Sequence, residues 1–293
     1  AFPNSNNDAF KAVDNITPPL LDANDTLMRD LQPQELNKMP ENKFLDLIKT
    51  STKDSTPLYI KKEWEFAQDN SVDVEKRIAF IDKLSDIKDD KSLVKFINFY
   101  KVENNKNIKD KIISNILYYA QSYIDRIKES KERTDLICFY EELLSTDFDN
   151  ENGYDILRGI IDFHGAKDVM ERKDELNEYI NKLDAHSSLD LLITAMQKSK
   201  ETAETYIDSL ITFLNKEKKY KLDSIFFNRV LNDLQDFDSA IIKEKIKNYL
   251  LDEKSRYGKS ISNANGMSEV KGDLRFYDLA KNAYSKLEKV LDK

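Results

Sequence analysis

From Leu58 to Lys293 the chain contains no proline; all six prolines lie earlier, at Pro3, Pro18, Pro19, Pro33, Pro40 and Pro57. Proline removes an amide donor and collides with the preceding helical turn, so a long proline-free run rich in Leu, Ile, Lys, Glu and Asp permits helix after helix. The run carries helix punctuation and apolar stripes but no motif that names a reaction. The expected fold is therefore all-α: a compact multi-helix array of antiparallel helices joined by short connections, with degenerate helix-hairpin repeats as a variant of it.

Two regions follow from this division. Residues 1–57 read as an irregular N-terminal segment with short helices between its prolines, and residues 58–293 as an all-helical body. Thr56 before Pro57 is a helix start, because a hydroxyl caps free amides and proline fits the first helical position. Periodicity places helices over Tyr59–Gln68, Val74–Ile87, Ser92–Tyr100 with Asp89 and Asp90 as cap candidates, and a long one over Ile108–Glu129. Further helices cover Thr134–Leu144, Tyr154–Phe163 ended by Gly165 in a left-handed cap, Asp168–Leu183 and Leu189–Gln197. Ser187 with Asp190 forms a capping box for the last of these. Thr202–Lys216, Ser224–Leu234 and Ser239–Asp252 complete the body. Gly258, Gly266 and Gly272 mark residues 257–272 as a flexible loop, after which an amphipathic C-terminal helix, Leu274–Leu291, docks back.

One local pattern recurs: Phe80-Ile81-Asp82-Lys83-Leu84, Tyr123-Ile124-Asp125-Arg126-Ile127, Tyr179-Ile180-Asn181-Lys182-Leu183 and Tyr206-Ile207-Asp208-Ser209-Leu210. Its first, second and fifth positions share a helix face and its third points to water. Without the copy at Tyr179 the series steps at roughly forty residues, the size of a two-helix solenoid unit. Any amphipathic helix also generates such matches, and both readings stand at this level.

Charge narrows the partners. Lysine and arginine total 46 against 54 acidic residues, a net charge of -8, which argues against nucleic acid and anionic membrane as main partners. No apolar run reaches the length of about 18 residues that spans a bilayer. Hydrophobic residues make up 40% of the chain and include 15 Phe and 14 Tyr, enough apolar surface to offset the entropy of ordering it.

His164 and His186 are the two histidines; neither stands in a zinc-binding spacing, and His164 beside a helix end suits the negative end of a dipole. Cys138, the one cysteine, reads as a buried small hydrophobe within Leu136-Ile137-Cys138-Phe139-Tyr140. Asp147, Asp149, Glu151 and Asp155 begin like a calcium loop, but Asn152 stands where glycine should turn the chain and Arg158 where a bidentate glutamate should close it. They read as a helix-capping loop. Lys216, Lys218, Lys219 and Lys221 around Tyr220 form a candidate anion-binding patch for sulfated glycan or phosphate, and Lys101, Lys106, Lys109 and Lys111 a second; acidic neighbours make a solvated face the simpler reading of both. Asn15-Ile16-Thr17 and Asn24-Asp25-Thr26 match the N-glycosylation acceptor triplet, the first weakened by Pro18. No catalytic, metal-binding or cofactor-binding residue emerges.

The start Ala1-Phe2-Pro3-Asn4-Ser5-Asn6-Asn7, the mass of 34.2 kDa, the acidity and the helical character together resemble the 34-kilodalton salivary proteins of culicine mosquitoes. That resemblance implies a secreted, non-enzymatic protein that binds a host component during blood feeding, and it assigns no functional residue. The alternative from the residues themselves is a helical-repeat scaffold or surface protein mediating protein–protein interaction. An enzyme of unrecognised type is the third class, disfavoured by the scarcity of His, Cys and Gly.

Overall fold

The computed structural model describes residues 23–49, 57–87, 89–146, 148, 152–216, 232–233, 237–249 and 252. Among these the regular structure is helical and no residue is in a strand, as expected from the long proline-free run with helical periodicity. The chain divides into two compact units, Ala1–Tyr119 and Ala120–Lys293. The expected loop at 257–272, the helix Leu274–Leu291, the helix Ser224–Leu234 except residues 232–233, which are helical, and Asp147, Asp149 and Glu151 lie outside the described residues, as do Asn15, Lys218, Lys219 and Lys221.

The first unit holds α1 (Ala23–Asp30), α2 (Pro33–Lys38), α3 (Glu41–Lys49), α4 (Pro57–Gln68), α5 (Val74–Leu84), α6 (Asp90–Val102) and all but the last turn of α7 (Lys106–Ser122). Pro57 occupies the first position of α4, where a missing amide leaves nothing unsatisfied. Asp89 caps α6, its carboxylate accepting from the Ser92 amide at 2.6 Å. The core is aromatic: the fully buried Phe80 ring meets Phe44 edge-on at 5.6 Å and stacks on Phe66 at 5.5 Å. Two ion pairs are buried with it. Arg77 pairs with Glu103 and also donates to the Ala67 carbonyl at 2.9 Å, while Lys83 pairs with Glu63 at 2.9 Å and donates to the Ile48 carbonyl at 2.6 Å.

The second unit holds α8 (Ile124–Lys128), α9 (Arg133–Thr146), α10 (Gly153–Phe163), α11 (Ala166–Glu171), α12 (Lys173–Ile180), α13 (Ala185–Met196), α14 (Lys200–Lys216) and α15 (240–249). Several expectations change here. The single helix expected over Ile108–Glu129 breaks at Tyr123, whose φ of -126° and ψ of 29° leave the helical region; after that turn Ile127 is fully buried. The helix expected over Asp168–Leu183 is likewise two, divided at Arg172 (φ -97°, ψ 14°). Gly165 is not a left-handed cap: its φ is -72°, and it opens α11 after His164 has closed α10 in an extended conformation.

The capping box is replaced as well. Asp184 caps α13 by accepting from the His186 amide at 2.9 Å and the Ser187 amide at 3.1 Å, and Asp190 is engaged elsewhere. Cys138 is exposed. Leu136, Phe139, Tyr140 and Leu143 form the buried face of α9, and a residue two positions from Leu136 on a 3.6-residue turn faces away from it.

The helices of the second unit are ordered by a regular offset. Tyr154 pairs with Asp190, Asn177 with Ser209, Val169 with Tyr206, Glu204 with Ser239 and Asp208 with Lys245, at sequence separations of 36, 32, 37, 35 and 37. A near-constant offset along two helices means that they run parallel. Within a hairpin the reverse holds: Arg133 at the start of α9 donates to the Phe163 carbonyl at the end of α10. Hairpins of antiparallel helices therefore stack so that equivalent helices lie side by side, α10 on α13 and α12 on α14 on α15. The first unit repeats the offset, with Asn37 bonding Ser71, Ile48 bonding Lys83 and Ile81 bonding Asn115 at separations of 34, 35 and 34. Within each unit, then, helices about a hairpin apart in sequence lie side by side.

The aromatic-Ile-Asp pattern does not mark this offset. Its copies fall on α5, on the junction at α8, at the end of α12 and on α14, and the copy at Tyr179 shares a layer with that at Tyr206.

Candidate functional site

The ladder of α12, α14 and α15 leaves an open groove on the outer side of α12 and α14, with a volume of about 450 Å³. Lys173 and Asn177 line it from α12, Asn181 from the cap that closes α12, and Ser209, Thr212 and Lys216 from α14, with Leu192 and Phe213 in its apolar part. The sequence folds this way because the buried stripes of the two helices, Leu176 and Ile180 on one and Tyr206, Leu210 and Phe213 on the other, face the hairpin core. That turns the i, i+4 pair Asn177 and Asn181 and the i, i+3 pair Ser209 and Thr212 outward together. The Asn177 amide donates to the Ser209 hydroxyl at 2.8 Å, which fixes the spacing of the two helices at mid-groove.

Charge in the groove is partly neutralised. Asp208 is held by Lys245 of α15, whose ammonium lies 2.6 Å from each carboxylate oxygen. Asp174 lies beside Lys173 at one end, and Lys216 marks the other end. The groove thus offers amides, hydroxyls and ammonium groups, the chemistry of hydrogen bonding and ion pairing.

The chain's most elaborate polar clusters join hairpin to hairpin. Asp190 accepts from the Tyr154 hydroxyl at 2.6 Å and from Arg158 at 2.9 Å, and Arg158 also bonds Asp162 at 2.7 Å. Burial, and then the bond to Asp190, push the Tyr154 hydroxyl up to about 12, so it serves as a donor throughout the neutral range. Arg172 binds Glu175 at 2.8 Å and Glu141 at 3.0 Å, and these two carboxylates hold its guanidinium charged. His164 Nε2 lies 2.8 Å from Glu141 in the same cluster, a helix-end position like the one expected from sequence. Lys198 reaches the Asp162 carbonyl at 3.0 Å beside Arg133, and burial followed by the charge of Lys128 lowers its pKa.

Of the described residues singled out by sequence as candidate sites, only Lys216 lies in the groove. Asn24 lies in the first turn of α1. In the second lysine cluster Lys109 sits over the Tyr100 ring at 4.4 Å and Lys111 pairs with Asp82. Among the described residues no three or more His, Cys, Asp or Glu side chains are placed to hold a metal ion, and no helix is long and apolar enough to cross a membrane. Sequence reasoning missed Asn177, Asn181, Ser209 and Thr212. Their signal was present as polar pairs at helical spacing opposite the apolar stripes, but nothing in one helix shows that it stands beside the other. No protein-family model, curated protein or solved structure matches the chain.

Proposed function

We propose that this chain is a non-enzymatic binding protein, whose stacked helical hairpins present the groove along α12 and α14 to another protein. The observation that supports the reading is the constant offset of the inter-helix bonds, 32 to 37 residues from Tyr154–Asp190 to Asp208–Lys245. Such an offset sets equivalent helices side by side, an arrangement like that with which solenoids present grooves to partner segments. The charged clusters favour binding over catalysis because they tie helices together, with Arg172 and Asp190 each joining two of them.

The likeness to culicine salivary proteins extends this reading to a secreted protein whose partner is a vertebrate host component. Host plasma is accordingly the first material to screen over the immobilised chain. The expected result is retention of a discrete plasma protein by the wild type and its loss by Thr212→Trp, which fills the groove from an exposed position. Equal retention by both chains would remove the groove from the reading, and retention by neither would remove the host partner.

A further inference from the structure

Spacing and charge in the groove specify what it takes. Asn177 on α12 and Asn181, which closes that helix with φ -67° and ψ -10°, stand four residues apart, a rise of about 6 Å along the helix at about 1.5 Å per residue. In an extended peptide, alternate residues on one side repeat every 6.6 Å or so, at about 3.3 Å per residue. A side-chain amide offers a donor and an acceptor together, the same pair that a peptide group presents. Asn177 is half-buried and gives one N–H to Ser209, which orients its amide. Asn181 is exposed. Two amides at that separation match alternate peptide groups of an extended chain; a helical ligand has its own peptide groups bonded internally and presents none to them.

Charge gives the second half of the argument. With Asp208 engaged by Lys245, the remaining groove charges are Lys173 and Lys216 against Asp174, net cationic by one in a chain of net charge -8. Lys216 is exposed at the groove end, about one helical turn beyond Thr212 and Phe213.

We propose that the groove between α12 and α14 holds an extended acidic peptide segment of the partner, its main chain read by Asn177 and Asn181 and one carboxylate read by Lys216. This rests on the binding function above and names the part of the partner that is bound. The mode is main-chain hydrogen bonding for affinity with one charged contact for register.

The test uses the full chain, immobilised, and a randomised pool of N-acetylated, C-amidated decapeptides, with bound peptides sequenced by mass spectrometry. The expected result is enrichment of Asp or Glu at a fixed position. Lys216→Glu abolishes that enrichment, and Asn181→Ala weakens every enriched peptide about tenfold whatever its sequence, as does N-methylation of a single peptide bond in the best binder. Both substituted residues are exposed, and an unchanged melting temperature shows that the variants fold. Enrichment that lacks an acidic position, or survives Lys216→Glu, overturns the charge assignment; binding indifferent to Asn181→Ala and to N-methylation overturns main-chain reading. No enrichment at all overturns the inference. If a plasma protein is still retained in that case and lost by Thr212→Trp, the binding function stands and the bound surface is a folded one.

Discussion

Gly159 shows how closely the helices of a hairpin approach. A Cβ at this position would come within 2.1 Å of the Tyr140 ring, which is itself stacked on Phe163 at 6.0 Å. The ring is buried between Phe139 and Phe163, so making room for a methyl disturbs the core. Gly159→Ala is therefore expected to destabilise the protein by about 1–3 kcal/mol, the usual range for overpacking, although alanine is the better helix former. A denaturant titration that shows the variant more stable would mean that helix propensity outweighs the contact. Burial also decides the behaviour of Arg77. Its side chain and that of Glu103 are each about 3% exposed, so Arg77→Met leaves a carboxylate buried without its cation and should cost about 3–5 kcal/mol. Adding Glu103→Gln removes that stranded charge, and the double variant should be less damaged than the sum of the singles by more than about 1 kcal/mol. Strict additivity in the same titrations would show that the two groups do not act as a pair.

At the scale of the helix, ends carry the information and breaks hide it. The start of α4 was legible in Thr56-Pro57 and the cap of α6 in Asp89, because proline and carboxylate act through the local backbone. The breaks at Tyr123 and Arg172 were not. Neither is glycine or proline, and each break exists because the next apolar residues, Ile127 after one and Leu176 after the other, are fully buried. Periodicity likewise showed the buried stripe of α9 without placing Cys138 opposite it. Asp184 was passed over as a cap because Ser187 and Asp190 offered a familiar spacing, whereas Asp190 serves Tyr154 and Arg158 of α10. The Asp184 cap has a pH signature. The Ser187 side chain, and then the Ser187 and His186 amides, lower its pKa below the usual aspartate value. A lowered folded-state value gives stability that is complete above the unfolded value, about 3.9, and is lost as pH falls through the folded value. Asp184→Ala should cost about 1 kcal/mol near pH 7, with the gap to wild type closing below about pH 4. Thermal melts at both pH values read this directly; a gap that persists undiminished at low pH would show that the carboxylate is not the capping group.

For the whole molecule, helix content followed from the absence of proline, but the offset that orders the helices did not follow from any repeated motif. The aromatic-Ile-Asp pattern reports one helix face wherever a helix is amphipathic. The stacking is written instead in pairs such as Asn177 with Ser209 and Asp208 with Lys245, dissimilar residues a hairpin apart, and the groove inherits that invisibility. Stacking also implies that hairpins support one another through nearest-neighbour contacts. Arg172 is the place to test this, since it joins Glu141 of α9 to Glu175 of α12. Arg172→Met keeps the length of the side chain's stem and removes both ion pairs. In a coupled array its effect spreads, so hydrogen exchange should quicken together at Leu143, Ile160 and Leu176, which lie in three helices of the stack, and less at Ile246 in α15. If protection falls in α12 alone, the hairpins unfold separately, and the constant offset is a packing regularity without energetic coupling. Coupled loss gives the groove a further property: a ligand seated on α12 and α14 would slow exchange in α10 and α13 behind them, since what stabilises one layer of a stacked array stabilises its neighbour.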